Sequence, residues 1–171
     1  MKELRGNLFH TPCDVICITT NGFVKRNGEA VMGRGCAAQL AKLIPDTPNI
    51  LGYSIRHNGN VVVPLCSTSD GRTVVAFPVK PAWREYHVPE DVVAHMRNKL
   101  RVGTSVPGWA STAIPTIIEE SCKQLVALAD SSGWTNVLLP RPGCGAGELI
   151  WEDIKPILGK YLDDRFTVVT H

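Results

Sequence analysis

The sequence predicts one three-layer α/β/α domain over residues 1–171, built on a mixed and mostly parallel central sheet. Three observations carry that expectation. Short β-branched runs alternate with amphipathic stretches along the chain, the pattern of strands covered by helices. The run at residues 14–20 is almost unbroken in apolar character, as a central strand buried on both faces requires. Strand, glycine-rich turn and helix follow one another twice, at residues 32–35 and 143–147, and such turns in open α/β sheets lie at the carboxyl ends of strands.

Residues 2–5 predict a short first strand, and Gly6-Asn7-Leu8 a turn in which Asn7 can bond its own backbone. The strand at 14–20 stops at Asn21-Gly22. Residues 23–31 form a loop with its own Asn27-Gly28 turn. Small and apolar residues at helical spacing predict a helix over 36–43, packed closely on the sheet. Pro45 and Pro48 close this unit, and a short helix is expected over 49–57. Residues 61–66 and 73–80 pair as a hairpin around Asp70-Gly71, with Pro64 and Pro78 marking strand ends or an edge.

Val92, Val93, Met96 and Leu100 share a face if residues 88–101 are helical. A long helix over 112–130 takes Pro115 in its first turn. A buried strand at 137–139, a helix at 151–161 and a last strand at 166–170 complete the domain.

Several function classes are excluded. The formal net charge is +2, which permits a phosphate-bearing partner without demanding one. No apolar run approaches the roughly 20 residues of a membrane span. No apolar leader follows Met1, so the expected compartment is the cytoplasm. The six cysteines include no Cys-x-x-Cys pair, and no His-x-x-x-His pair accompanies them, so no metal site is expected. Cys13 and Cys17, four positions apart, are expected to share one face of a strand as reduced packing residues.

The stretch from Pro140 through Trp151 organises the rest. A strand that breaks at Pro140 and Pro142, passes Gly143, Gly145 and Gly147 and re-enters a helix presents backbone N–H groups at one point. An anion is favoured there. Met32-Gly33-Arg34-Gly35 repeats the arrangement. Two such nests converging on one crevice suit a diphosphate; the alternative is a pair of ordinary connections whose glycines only make turns. Gly145 is expected to need a positive φ and a close backbone approach to the ligand. As a dinucleotide fingerprint Gly33-Arg34-Gly35 fails, because the third glycine is absent and the preceding loop is too long.

On these residues the chain resembles the macrodomains, the ADP-ribose-binding α/β/α modules, over nearly its whole length. The Gly6-Asn7-Leu8 turn, the Asn21 strand end, Met32 to Gly35 and above all Pro140 to Trp151 carry the resemblance. Phe77-Pro78-Val79-Lys80-Pro81-Ala82-Trp83-Arg84 is similar to the pattern of the branch that holds the terminal ADP-ribose glycohydrolases and the DarG antitoxins, in which the lysine is catalytic. The resemblance implies an ADP-ribose-binding hydrolase that removes ADP-ribosyl groups from a macromolecule, nucleic acid among the candidates, with no cofactor, no metal and no membrane partner. It implies a catalytic role for Lys80 and places Asn21 beside the distal ribose. Asn7 and Leu8 would meet the adenine. Met32, Gly33, Arg34 and Gly35 would hold the diphosphate together with Pro142, Gly143, Cys144, Gly145, Ala146 and Gly147. Trp83 and Arg84 would contact substrate.

The glycohydrolases acting on protein carboxylates carry an aspartate in the second loop; here that position is Gly147, with Glu148 beside it. A non-catalytic ADP-ribose reader and an ADP-ribose 1''-phosphate phosphatase would use the same pocket. Read without the resemblance, Lys80 is a solvated strand-end lysine, Asn21 a turn residue, and Glu148 and Asp153 partners of a helix dipole. Partly desolvated beside apolar residues, however, a lysine can lower its pKa and act as nucleophile or base.

Overall fold

A computed structural model describes residues 1–171. The chain runs β1 (Lys2–Arg5), β2 (Val15–Thr20), α1 (Gly35–Leu43), α2 (Thr47–Asn58), β3 (Val63–Ser67), β4 (Thr73–Pro78), β5 (Trp83–Glu85), β6 (Ser105–Pro107), α3 (Pro115–Ser132), β7 (Val137–Leu139), α4 (Trp151–Tyr161) and β8 (Phe166–Thr170). The main sheet has the order β1-β8-β7-β2-β4-β3, and only the β3–β4 pair is antiparallel. It is the mixed, mostly parallel sheet that the strand and helix pattern predicts.

Alternation along the central strands builds a core on each face. Val15 and Cys17 of β2 join Val75 and Phe77 of β4 beneath α3 and α4, where Ile118, Leu125, Ile154 and Leu158 complete the cluster. Ile16 and Ile18 with Val74 and Ala76 point the other way, onto Leu40 of α1 and Leu51 of α2. Burying each large side chain of this kind stabilises the fold by about 1.5–3 kcal/mol. β1 is an exposed edge strand whose charged Lys2, Glu3 and Arg5 guard it against pairing with another chain.

Two expectations are corrected. Residues 88–101 form no α-helix. Pro89–Asp91 and Ala94–Met96 are single 3₁₀ turns, and Val92 between them is extended and bridged to Ser111. The Asp91 carboxylate accepts the N–H groups of His87 (2.9 Å) and Val88 (3.0 Å), which ends the first turn where it begins. The apolar positions still pack, but as a satellite cluster in which Met96 and Leu100 cover Tyr86, Val92 and Val106. The short β5–β6 ladder underlies that cluster.

Cys13 and Cys17 do not share a face. Asp14 and Val15 both donate to the Asn136 carbonyl (3.1 and 3.3 Å), which breaks the alternation before β2 starts. Cys17 consequently lies under α3 and α4, whereas Cys13 packs against the α1–α2 cluster. All six cysteines are free thiols.

Candidate ligand site

The carboxyl ends of β1, β8, β7, β2 and β4 open into one cavity of about 850 Å³. Both glycine loops line it. In the first, no hydrogen bond within the chain engages the N–H of Gly33 or Arg34, and α1 starts at Gly35 with neither a side-chain cap nor an acid in its first turn. Its leading N–H groups and dipole are left for an anion. In the second, Glu148 N–H bonds Gly145 O (3.0 Å) and Leu149 N–H bonds Gly143 O (2.9 Å), while the N–H groups of Gly145, Ala146 and Gly147 bond nothing in the chain. Two runs of free donors therefore face one space.

The second loop is wedged into the core. Gly143 has φ +75°, and a Cβ there would lie 2.8 Å from the Ala113 Cβ and 2.9 Å from the Ile118 Cδ1. A Cβ on Gly147 would sit 2.6 Å from both the Ala113 Cβ and the Gly143 carbonyl oxygen. That position cannot hold the aspartate of the carboxylate-cleaving enzymes without a shift of the loop. Gly145, contrary to expectation, has no positive φ, and a Cβ on it meets nothing within 4 Å. Gly33 is equally open. Neither packing nor φ requires glycine at Gly33 or Gly145.

Lys80 follows β4 and is 8% exposed. Its ammonium donates to the carbonyl oxygens of Trp109 (3.3 Å) and Ala146 (3.4 Å) and has no carboxylate partner. Burial, then the nearby Arg34, push its pKa down to about 8, with Glu148 opposing. The Glu148 carboxylate is committed elsewhere. From a backbone with φ +64° it accepts the Ala94 N–H at 2.8 Å and pairs with Arg97 at 3.4 Å, so it tethers the Ala94–Met96 turn and does not replace the second-loop acid.

Asn21 lines the cavity with its amide oxygen and one amide N–H engaged. It accepts from the Phe23 N–H and donates to the Val31 carbonyl, both at 3.0 Å, which closes the base of loop 23–31.

Leu8, Met32, Arg34, Gly35, Cys144 and Ala146 join the residues above in the wall. Asn7 does not. Its side chain turns back to accept the Phe9 N–H at 2.9 Å. Pro142 is buried behind the second loop. Arg84 is drawn into the fold by Ser111, Thr112 and an ion pair with Asp91 at 3.0 Å. Trp83 stands 57% exposed outside the cavity, with Phe23 edge-on to it at 5.2 Å.

No family model matches the sequence, and no curated protein matches it. Solved structures do. The macrodomain of Mycobacterium tuberculosis DarG superposes with a TM-score of 0.69 over 98% of this chain and 95% of its own, at 17% identity. That of Thermus aquaticus DarG gives 0.68 over 99% and 97%, at 22% identity. The chain has the macrodomain fold. Thermosipho africanus DarTG, solved in complex with ADP-ribose, superposes with a TM-score of 0.67 over 96% of this chain and 39% of its own, at 16% identity.

The wall of the cavity includes residues that the sequence did not single out. Thr20, Cys36, His95, Trp109 and Arg141 all line it. His95 Nδ1 stands 3.3 Å from the Arg34 guanidinium, so the Ala94–Met96 turn meets the first loop across the opening. A helical reading of 88–101 hides His95, and Trp109 stands in no motif that gives it a role. Arg141 lay inside the organising stretch without a role.

Proposed function

We propose that this macrodomain binds ADP-ribose along the strand-end cavity and hydrolyses the bond joining it to a macromolecule, with nucleic acid as the favoured carrier. One observation carries the catalytic part. Lys80 is a buried amine without a carboxylate partner at the β4 end of a cavity lined by two runs of free N–H donors. A diphosphate held by those donors directs the distal ribose toward Lys80.

A pKa near 8 leaves a usable fraction of neutral amine at neutral pH. The neutral amine attacks the anomeric carbon as the bond from that carbon to the carrier breaks; the substituted ammonium so formed gives up a proton, and the leaving group takes one up. Water then cleaves the enzyme–sugar bond, releasing ADP-ribose and restoring the amine. Gly147 supplies no acid for the lysine–aspartate chemistry used on protein carboxylates, and its packing leaves no room for one. The exposed Trp83, braced by Phe23, offers a face on which a base can stack.

That same lack of an acid supports a second reading, a module that reads ADP-ribose without turning it over. Calorimetry and pH profiles separate the cases. ADP-ribose binds with measurable heat under either reading, and no heat at millimolar concentration removes both. Under the hydrolase reading kcat/KM rises with pH as the ammonium loses its proton, and levels above about pH 8. A rate independent of pH from about 6 to 9 contradicts a neutral-amine nucleophile.

A further inference from the structure

Hydrolysis by a lysine nucleophile leaves one proton to be moved. The substituted ammonium on Lys80 sheds it, and the leaving group on the carrier needs it. Lys80 touches only the carbonyl oxygens of Trp109 and Ala146, which hold an ammonium in place but do not carry a proton away. The wall offers few other groups for the task. The Cys36 thiol is taken up by the Thr19 N–H at 3.4 Å, and burial pushes the Cys144 thiol up to about 11. Glu152 lies in the first turn of α4, past the second loop. His171 follows β8, three strands from β4 and so about 14 Å along the sheet.

His95 remains, and three sets of contacts fix the turn that carries it beside Lys80. The Val93 N–H bonds the Ala110 carbonyl at 2.9 Å, one residue from Trp109, the first acceptor of the Lys80 ammonium. The Ala94 N–H (2.8 Å) and the Arg97 guanidinium (3.4 Å) reach the Glu148 carboxylate, two residues past Ala146, the second acceptor. His95 itself meets the Arg34 guanidinium at 3.3 Å. Arg34 and Glu148 are also the two charges that act on Lys80. His95, Arg34 and Lys80 line the same cavity. Arginine only donates, so the Nδ1 that faces Arg34 presents a lone pair. The imidazole is therefore neutral, with its proton on Nε2, which no hydrogen bond within the chain engages.

We infer that His95 is a second catalytic residue, the one that carries the proton from Lys80 to the leaving group. This rests on the hydrolase reading above and adds its proton carrier. A diphosphate at the first loop draws the Arg34 guanidinium to itself and frees Nδ1. As the Lys80 amine bonds the anomeric carbon and the bond to the carrier breaks, Nδ1 takes the proton that the substituted ammonium gives up. Nε2 gives its own proton to the leaving atom, so one proton enters the ring and one departs. Exchange with water restores the first tautomer. Lys80 and His95 both start neutral, in keeping with a rate that rises with pH and then levels.

The test compares wild type, His95→Ala, His95→Gln and Lys80→Ala on two substrates, ADP-ribosylated DNA and ADP-ribosyl 4-nitrophenol. The nitrophenolate departs without a proton, whereas a nucleobase does not. Both His95 variants lose about a hundredfold or more in kcat on the DNA and about threefold or less on the nitrophenol compound, with ADP-ribose affinity by calorimetry nearly unchanged. Equal losses on the two substrates, no loss on the DNA, or weaker ADP-ribose binding at unchanged kcat overturns the inference. So does a wild-type rate in His95→Gln, because Gln braces Arg34 but carries no proton. If wild type releases ADP-ribose from neither substrate, or if Lys80→Ala is as fast as wild type, the hydrolase reading falls and takes this inference with it. If Lys80→Ala is slow on both substrates while the His95 variants are fast on both, only this inference falls.

Discussion

The two glycine loops both alternate glycine with other residues, yet they stand in opposite relations to the core. Loop 143–147 is set into the protein. Gly143 and Gly147 press against Ala113 and Ile118, and the Gly147 carbonyl accepts the Ala113 N–H at 2.9 Å. Loop 32–35 has no such packing; a Cβ on Gly33 or Gly35 would meet nothing within 4 Å, and only Gly35, at φ +59°, is held to glycine by its backbone. Its one side-chain tie across the cavity is the Arg34–His95 contact. The difference separates two kinds of glycine. Gly143 and Gly147 are required by the fold, whereas at Gly33 and Gly145 neither packing nor φ asks for one. A glycine-rich motif can thus be architecture in part, and steric surroundings show which part.

The sharpest way to break this comparison is to fill the packed positions. Gly147→Asp, which restores the acid of the carboxylate-cleaving enzymes, should lower folding stability by about 3 kcal/mol, because the clash is with core side chain and backbone. Thermal unfolding at an unchanged Tm would show that the second loop yields, and would reopen protein carboxylates as substrates.

At the open positions the effect should move from stability to binding. Gly145→Val should change stability by less than about 1 kcal/mol and weaken ADP-ribose binding about tenfold or more by blocking backbone approach, as calorimetry would read. Normal binding would detach the second loop from the diphosphate.

The smallest effect concerns Lys80, which bridges from β4 to the second loop through the Ala146 carbonyl. Its pKa is lower in the folded chain than in the unfolded one, so between about 8 and 10.5 the unfolded state holds more protons and stability rises with pH. Below that window the cost of burying the ammonium is fully present. Lys80→Met should therefore unfold at a higher temperature than wild type, by about 1 kcal/mol in stability near neutral pH. That advantage should shrink as pH climbs through the window. An advantage independent of pH would mean that burial of the charge is not its source.

Much of this architecture was legible in the sequence. The doubly apolar β2, the β3–β4 hairpin around Asp70-Gly71 and α3 with Pro115 in its first turn stand where periodicity puts them. They are legible because each follows from local chemistry, a period or a turn residue. Residues 83–107 were not legible. There the fold is decided by distant partners: Asp91 is claimed by Arg84 and by the N–H groups of His87 and Val88, and Val92 is paired with Ser111. An apolar spacing of three and four then reads as a helix although the chain makes two isolated turns.

At the site, Lys80 and both loops stood out through position and composition. The Asn7 and Arg84 side chains are used by the fold itself, which their sequence neighbourhood does not show. Thr20 and Arg141 gave the reverse case: both line the cavity, and nothing in their sequence neighbourhood places them there.

The central claim is that Lys80 does chemistry at the β4 end of the cavity and does not hold the ligand. It is tested most directly by incubating wild type and Lys80→Ala in parallel with ADP-ribosylated DNA and with glutamate-ADP-ribosylated protein, following released ADP-ribose. The account predicts faster release from DNA than from protein, a loss of about a hundredfold or more in Lys80→Ala, and ADP-ribose affinity nearly unchanged in that variant. Equal rates in wild type and Lys80→Ala would contradict it.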